Sequence, residues 1–297
     1  MKRIFFALPG NEALCSSLAS KCRGEPGVAT IRHFPDGETY VRIESEVKER
    51  NVYLICTLDH PDDKLLPLFF LAKAAKEAGA EKIYLVAPYL AYMRQDKQFN
   101  PGEAVTSSYF ATLISSFCDA LITVDPHLHR RSALSEIYTI PTSVLHAADT
   151  ICEWIKQNIQ HPVIIGPDIE SEQWVSQAAI RIGAPYLILE KVRHGDEDVE
   201  ISDKGISSFK SFTPVLLDDI ISTARTMIKT IEILRELQMK APVCVGIHGV
   251  FSNTAYQDLM EAGAAKIITT NTIPHPSNLI WIDELLSKTI ITIENEN

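Results

Sequence analysis

Short apolar runs alternate with amphipathic stretches along most of this chain. The apolar runs show little polar alternation, which predicts strands buried on both faces: Ile4–Leu8, Val52–Cys56, Ile83–Ala87, Ala120–Val124, Val163–Ile165, Tyr186–Leu189, Val215–Leu217, Val243–Ile247 and Ile267–Thr270. The amphipathic stretches predict helices: Leu65–Ala78, Val105–Phe117, Ala147–Asn158, Glu172–Ile182, Thr226–Leu237 and Ala255–Ala262. This alternation predicts the α/β class, with parallel sheets flanked by helices.

A short internal repeat favours two similar domains. The sequence Ala78-Gly79-Ala80-Glu81-Lys82-Ile83 returns as Ala262-Gly263-Ala264-Ala265-Lys266-Ile267. In both copies a predicted helix ends at a glycine, which supplies a left-handed cap, and a predicted strand begins at Lys-Ile. We predict that the copies occupy corresponding places in two tightly packed domains, residues 1–145 and 146–297, with sheets of about five strands each.

Composition and net charge limit the kinds of molecule that this protein is expected to bind and the compartment in which it is expected to work. The 297 residues are 46% hydrophobic and 22% charged, which supplies ample material for a core. A net charge of −10 disfavours general binding to nucleic acid, whose phosphates need a basic face. No apolar run approaches the roughly 18 residues of a membrane span. The six cysteines form no CxxC pair, so we expect reduced thiols in a cytoplasmic protein.

The clearest chemical signal is a pair of acids followed by a hydroxyl-rich turn and a predicted helix. Asp218 and Asp219 end an apolar strand, and Ser222 to Thr226 lead into the helix. A helix N-terminus at the carboxyl edge of a sheet favours a phosphate, and the acids suit a diol or a divalent cation. The alternative is an ordinary connection capped by Ser222 or Thr223. An acid pair at an apolar strand end is costly without a partner, so we favour a sugar-phosphate site.

This segment resembles the phosphoribosyl pyrophosphate motif of type I phosphoribosyltransferases and of ribose-phosphate pyrophosphokinases. Further segments resemble the pyrophosphokinases and run in family order. The adenine-binding segment of that family is similar to Phe34-Pro-Asp36-Gly37-Glu38 with Val41-Arg42-Ile43, and its nucleotide loop is similar to Tyr92-Met-Arg94-Gln95-Asp96-Lys97. Its metal, ribose and catalytic segments are similar to Asp125-Pro126-His127, Gly166-Pro167-Asp168 and Glu190-Lys191-Val192-Arg193. Two C-terminal signatures resemble His248-Gly249-Val250-Phe251-Ser252 and Thr270-Asn271-Thr272-Ile273-Pro274.

The resemblance implies two type I phosphoribosyltransferase-like domains with the active site between them. It also implies Mg²⁺-dependent transfer of the diphosphoryl group of ATP to the 1-hydroxyl of ribose 5-phosphate, which gives phosphoribosyl pyrophosphate and AMP. Positioning and charge neutralisation dominate such reactions. By the same resemblance we expect a homo-oligomer, at least a dimer, whose partners are ATP and ribose 5-phosphate rather than nucleic acid or membrane.

The resemblance also assigns roles to residues. The catalytic cations would be Lys191 and Arg193. ATP would be bound by Phe34, Asp36, Glu38, Arg94, Gln95, Asp96 and His127. Ribose 5-phosphate would be bound by Asp168, Asp218, Asp219, Ser222, Thr223, Ala224, Arg225 and Thr226. Mg²⁺ would be held by His127 and Asp168. The stretch from Arg94 to Ala104 lacks apolar periodicity, and we expect it to close over ATP.

Most of these residues also have an ordinary structural interpretation. Each alternative is a common feature of α/β proteins: a core strand residue at Phe34, a turn at Asp36-Gly37, a solvated loop at Arg94–Lys97, a turn histidine at His127, a helix N-cap at Asp168, and the solvated basic end of an edge strand at Lys191 and Arg193.

Four positions, in two segments, depart from the family pattern. Ser222 stands where the family has an acid, Arg225 stands where it has a glycine, and Glu170-Ser171 stand where it has two glycines. Arg225 loses the conformational freedom of glycine but adds a cation for the 5-phosphate. The alternatives are therefore a pyrophosphokinase for another sugar phosphate, a catalytically weak regulatory paralogue that binds nucleotide, and a phosphoribosyltransferase.

Overall fold

A computed structural model describes residues 2–128, 130–167, 171–189, 191–194, 198–201 and 206–296. The chain divides into a first unit of Met1–His146, Thr272–Pro274 and Ile282–Asn297, and a second unit of Ala147–Asn271 and His275–Trp281. This division differs from the predicted one at the C-terminus, because residues 282–297 return to the first unit. There the last helix packs beside the first, and Lys21 forms an ion pair with Glu284 at 3.1 Å.

The first unit contains a six-stranded parallel sheet. In chain order its strands are β1 (Arg3–Ala7), β2 (Glu25–Pro26), β5 (Asn51–Ile55), β6 (Lys82–Ala87), β7 (Ala120–Val124) and β8 (Thr142–Leu145). They lie in the order β2-β1-β5-β6-β7-β8. An antiparallel hairpin, β3 (Ala29–His33) with β4 (Thr39–Ile43), stands outside the sheet. The helices are α1 (Glu12–Lys21), α2 (Pro61–Glu77), α3 (Thr106–Ser115) and α8 (Asp283–Glu296).

The second unit repeats this topology. Its sheet is built from β9 (Pro162–Gly166), β10 (Tyr186–Ile188), β13 (Thr213–Ile221), β14 (Val243–Gly249), β15 (Lys266–Thr270) and β16 (Asn278–Ile280), in the order β10-β9-β13-β14-β15-β16. Its helices are α4 (Ala148–Asn158), α5 (Glu172–Ile182), α6 (Arg225–Glu236) and α7 (Ala255–Ala262). An antiparallel ribbon of β11 (Lys191–His194) and β12 (Asp198–Ile201) completes the unit. The predicted α/β fold is confirmed, with six strands per sheet rather than five.

One predicted strand is longer than its apolar run. The prediction ended that strand at Leu217, where the acids begin, but β13 continues to Ile221. Its backbone stays paired with β14 as far as the partners Ile221 and Gly249. Strand pairing depends on backbone groups, so two polar side chains do not end it. Asp218 and Asp219 therefore lie inside the strand rather than beyond its end.

The internal repeat reflects local chemistry rather than equivalent positions. Gly79 and Gly263 both follow helices and both have left-handed backbones, with φ of 91° and 111°. The strand that follows Gly79 is β6, the fourth in its sheet, whereas the strand after Gly263 is β15, the fifth in its own. The prediction of corresponding places was wrong, although the prediction of two similar halves was correct. The shared sequence serves the same helix cap in two different crossovers.

None of the helices among the described residues is long and apolar enough to cross a membrane.

The six cysteines are all buried thiols. Burial raises the pKa of the Cys15, Cys56 and Cys244 thiols to about 12. Because the thiolate is the reactive form, we expect an aromatic disulfide reagent at pH 8 to label the native protein slowly. All six thiols should react within minutes in guanidinium chloride. Rapid labelling of even one thiol in the native protein would contradict this prediction.

Candidate functional site

The winding of the second sheet reverses beside the acid-bearing strand. From β9 the chain continues to β10 on one side, and the next strand of the sheet, β13, lies on the other side. Ligands of open α/β sheets bind outside the carboxyl ends of strands at such a reversal. The carboxyl end of β13 leads through residues 222–224 into α6. The acid pair and the helix start therefore belong to the part of the fold where a ligand is expected.

Asp218 and Asp219 form a half-buried acidic pair on β13. Asp219 accepts a hydrogen bond from the Ile220 N–H at 2.8 Å, and Asp218 lies opposite Gly246 of β14. Burial, followed by the neighbouring charge of Asp219, raises the pKa of Asp218 to about 7. A cation or hydroxyl donors beside this pair would stabilise its charged form. The pair is therefore suited to bind a diol or a hard cation.

The helix behind the acid pair begins without a side-chain cap. Ala224 precedes α6 with φ 56° and ψ 9°, a left-handed conformation, and no side chain of the described residues caps the helix. A left-handed alanine costs of the order of 1–2 kcal/mol. The predicted capping alternative therefore does not describe this turn. Uncapped N–H groups at a helix start are suited to bind a phosphate.

The turn before α6 is held by the segment that follows β14. Ser252 donates its N–H to the Ser222 carbonyl at 3.1 Å, and the two hydroxyl oxygens are 2.9 Å apart. Phe251 donates its N–H to the Ile221 carbonyl at 2.9 Å. These contacts fix the conformation of the turn. Ser252 had no assigned role in the sequence, and its only signal was its place in a C-terminal signature of the resembled family.

Arg225 and Thr226 are exposed at the first turn of α6. Thr223 is also exposed. The residue that needs a left-handed backbone is Ala224, not Arg225. Arginine therefore takes the place of the family glycine without strain, because its backbone is already helical. Its guanidinium adds a positive charge at the helix end that attracts anions.

The corresponding turn of the first unit has different chemistry. Helix α2 also begins from a left-handed residue, His60 with φ 51°, and no side chain of the described residues caps it. Here Lys64 donates to the Thr57 carbonyl at 3.0 Å and forms an ion pair with Asp59. The acid beside this turn of the first unit is thus paired with a lysine, whereas the second unit has two adjacent acids on the strand before its turn. Of the two strands that precede these turns, β13 carries an acid pair and β5 carries no acid.

The residues predicted to bind adenine form the tip of the β3–β4 hairpin. Phe34 donates its N–H to the Glu38 carbonyl at 2.8 Å, and Gly37 donates to the Phe34 carbonyl at 2.9 Å. Gly37 has φ 92°, and the Asp36 carboxylate accepts the Glu38 N–H at 3.3 Å. Asp36-Gly37 is therefore a turn, as one interpretation predicted. All four residues are exposed at the tip.

The Phe34 ring is not a core residue. It is 38% exposed and lies edge-on to Tyr40, with the ring centroids 5.8 Å apart. The Arg32 guanidinium lies 4.7 Å from the centroid of the Phe34 ring and 4.4 Å from that of Tyr40. An exposed ring fixed by a cation at one side can still stack on a flat ligand.

The predicted nucleotide loop, residues 94–104, connects β6 to α3. Arg94 is exposed. The Gln95 carbonyl accepts the Ser107 N–H at 3.3 Å, which ties the loop to the start of α3. The Asp96 carboxylate accepts a hydrogen bond from Arg130 at 2.9 Å, and its side chain is only 4% exposed. The solvated-loop alternative thus suits Arg94 but not Asp96.

The predicted metal ligands are only partly described. His127 lies half-buried just after β7. Asp125 lies between the end of β7 and His127. Its φ is 36°, and its carboxylate lies 2.7 Å from His146 Nδ1. Within the described ranges, no three His, Cys, Asp or Glu residues gather as a metal site. Asp168, the other predicted ligand, and Glu170 lie outside the described residues.

The predicted catalytic cations lie on a strand of their own. Lys191 and Arg193 belong to β11 and are paired with Ile201 and Val199 of β12. The sequence predicted them just after the apolar strand Tyr186–Leu189 and did not predict a separate ribbon. Instead, across the described residues, the β11–β12 ribbon pairs with neither six-stranded sheet. The ribbon pattern was missed because it contains few apolar residues.

Comparison with known proteins finds matches over both units. Residues 3–117 match the N-terminal domain of ribose phosphate pyrophosphokinase, and residues 133–279 match a phosphoribosyl transferase domain. The ribose-phosphate pyrophosphokinase of Saccharolobus solfataricus is 34% identical over 84% of this chain and 86% of its own length. That of Methanobrevibacter smithii is 29% identical over 94% and 97%.

A solved structure shares the fold. The crystal structure of phosphoribosylpyrophosphate synthetase from Mycobacterium smegmatis matches with a TM-score of 0.85. The match covers 100% of both chains at 24% identity. Both halves of the present chain therefore have a counterpart in one solved protein of the same topology.

Proposed function

The chain belongs to the ribose-phosphate pyrophosphokinase family, and we propose that it transfers the diphosphoryl group of ATP to the 1-hydroxyl of ribose 5-phosphate. The products are phosphoribosyl pyrophosphate and AMP. The observation that carries the proposal is the acid pair of β13 followed by the uncapped start of α6. That arrangement offers carboxylate acceptors for a sugar diol and N–H donors for a phosphate, the two groups that a sugar phosphate carries.

Ribose 5-phosphate binds along the end of β13. The Asp218 and Asp219 carboxylates accept hydrogen bonds from the ribose hydroxyls. The first N–H groups of α6, with the hydroxyls of Thr223 and Thr226, hold the 5-phosphate. Arg225 contributes a planar cation that suits phosphate oxygens. Ser222, held by Ser252, fixes the turn.

ATP binds through residues of the first unit. Phe34 offers an exposed ring for the adenine, with Asp36 and Glu38 beside it at the hairpin tip. Arg94 and His127 supply donors for the phosphates, and Gln95 holds the loop on α3.

The catalytic cations come from the second unit. Lys191 and Arg193 stabilise the charge on the transferred diphosphoryl group, and this stabilisation is the main chemical demand of the reaction.

The chemistry of these residues suits Mg²⁺, although the described ones do not form a complete protein cage. Mg²⁺ prefers oxygen ligands and commonly keeps several waters while binding substrate phosphates. The half-buried carboxylates of β13 are oxygen donors. Burial raises the pKa of Asp218, so a nearby cation would favour its charged form. His127 and Asp168 are the family-like ligands. Bound Mg²⁺ would neutralise phosphate charge, while the protein orients ATP and the sugar.

The test is to incubate the purified protein with ATP, Mg²⁺ and ribose 5-phosphate and follow the products by ³¹P NMR. We expect AMP and a new pyrophosphate signal only when the sugar phosphate is present. Separate incubations with other pentose and hexose phosphates test the effect of Arg225 on specificity. Product from another sugar phosphate alone would replace the proposed acceptor, and ATP binding without any turnover would favour the regulatory paralogue. Formation of ADP rather than AMP would contradict diphosphoryl transfer.

A further inference from the structure

Asp96 of the nucleotide loop is engaged by the protein itself. Arg130 Nη1 lies 2.9 Å from Asp96 Oδ1, and the Asp96 side chain is only 4% exposed. The Arg130 side chain is 48% exposed. A covered carboxylate that already has an arginine partner is poorly placed to accept a hydrogen bond from a nucleotide. Arginine is the side chain that best matches a carboxylate in such a pair.

The same arginine touches the loop a second time. The Arg130 guanidinium lies 5.3 Å from the centroid of the Phe99 ring, and Lys97 Nζ lies 5.2 Å from the same centroid. Phe99 is 55% exposed. A guanidinium within about 6 Å of an aromatic centroid is attracted to the ring. Arg130 therefore holds the loop at two residues that are three positions apart.

The neighbouring arginine strengthens this attachment. Arg131 donates to the Asp96 carbonyl at 3.4 Å and to the Ser108 hydroxyl at 3.1 Å. Asp96 is thus held by its side chain and by its backbone, both from the segment that follows His127. This segment links the nucleotide loop to the end of β7, just beyond which His127 lies.

We propose that Arg130 is a positioning residue for the nucleotide loop, and that Asp96 is its partner rather than a ligand of ATP. The proposal rests on the proposed function. Arg130 sets the position of the loop relative to His127, so that Arg94 and His127 reach the phosphates of one nucleotide. Asp96 contributes to ATP binding only through Arg130. The sequence-based assignment of Asp96 as a direct ATP-binding residue would then be replaced.

The test is a double-mutant cycle on the affinity for Mg²⁺·ATP, measured by equilibrium dialysis. Arg130→Met and Asp96→Asn are each expected to raise the Kd by about tenfold. The double variant should be no weaker than the poorer single variant, because both substitutions remove the same interaction. Arg130→Lys should recover part of the affinity. The Kd for ribose 5-phosphate should stay at the wild-type value in all of these variants. A variant that had lost its overall structure would bind ribose 5-phosphate more weakly as well.

Arg181→Met is a matched control. The Arg181 side chain is 49% exposed and lies 3.2 Å from Asp149 in the second unit, so it resembles Arg130 in exposure and partner type. We expect it to bind Mg²⁺·ATP as the wild type does. If Asp96→Asn weakens binding by the same factor in the Arg130→Met background as in the wild type, Asp96 is an independent ligand and the proposal is overturned.

Hydrogen exchange separates this proposal from the proposed function. Without substrates, amides of residues 94–104 should exchange faster in Arg130→Met than in the wild type, and at wild-type rates in Arg181→Met. Unchanged exchange in Arg130→Met would overturn the positioning role, whatever the enzyme catalyses. A wild type that binds Mg²⁺·ATP but forms no AMP would instead contradict the proposed reaction and leave the cycle interpretable. A wild type that does not bind Mg²⁺·ATP would overturn both.

Discussion

Replacement of Lys191 by alanine is expected to lower the rate of AMP formation by about 10²–10³-fold, the usual loss when one group that stabilises developing charge is removed. The diphosphoryl group carries several negative charges, and neutralising them is most of what the protein must do in the proposed reaction. Because Lys191 and Arg193 are two positions apart on one short strand, removal of one leaves the other to provide a residual rate. The rate is measured by ³¹P NMR at saturating ATP and ribose 5-phosphate.

The fold should tolerate this substitution. The β11–β12 ribbon is joined by backbone pairing and, in the part of the chain that is described, pairs with neither six-stranded sheet. Alanine keeps that backbone pairing, so the thermal midpoint should stay within about 2 °C of the wild-type value. Lys156→Ala, an exposed lysine of α4, is the matched control and should leave both rate and midpoint unchanged. A Lys191→Ala enzyme with at least half the wild-type rate would exclude a catalytic role.

Sequence periodicity predicted the central elements because their signal is local. Strand β7 and helices α5 and α7 have the bounds that the apolar pattern indicated. Helix α1 was missed although Leu14, Cys15, Leu18 and Ala19 recur at helical spacing, because serine and alanine weaken the contrast around them. The hairpin β3–β4 was missed because its strands are half-exposed and carry charge. Edge strands β8 and β16 have only four and three residues, too few for a pattern to emerge.

The candidate site could be predicted where reactive or ligand-binding side chains directly follow an apolar run. Asp218 and Asp219 stood out because acids rarely interrupt a buried strand without a partner. The left-handed backbone at Ala224 could not be foreseen, because alanine seldom adopts it and glycine or asparagine would be the usual signal. The contact of Asp96 with Arg130 joins residues 34 positions apart and depends on how α3 and β7 fold together. No local pattern encodes such a pair.

The acid pair leads to the second large prediction, that Asp218→Asn stabilises the ligand-free protein while it disables the enzyme. Burial and the charge of Asp219 raise the pKa of Asp218 from 3.8 to about 7 in the folded protein. As pH rises between these two values, the unfolded state releases its proton first, so the wild type loses stability across this range and no further above it. Asparagine cannot ionise, and the variant lacks this loss. At pH 8 we expect a gain in the free energy of unfolding of about 2 kcal/mol.

In the proposed binding of ribose 5-phosphate, the same substitution removes a carboxylate acceptor from the ribose hydroxyls, so AMP formation should fall by about 10²-fold or more. Urea unfolding from pH 4 to pH 8 measures the stability, with Asp63→Asn on the exposed first turn of α2 as a control that removes one charge. The stability difference between Asp218→Asn and the wild type should grow with pH, and that of the control should stay nearly constant. When Mg²⁺ and ribose 5-phosphate are added, the wild type should become more stable than Asp218→Asn, because ligands stabilise only the form that binds them.

Two outcomes would contradict these expectations. If Asp218→Asn loses as much stability between pH 4 and pH 8 as the wild type does, the raised pKa belongs to another group. If that protein also kept full activity, the acid pair would not be the sugar site. A carboxyl group that lowers the stability of the folded protein but supports turnover has a functional role rather than a structural one. A variant that gains stability and loses activity would therefore identify the acid pair as functional.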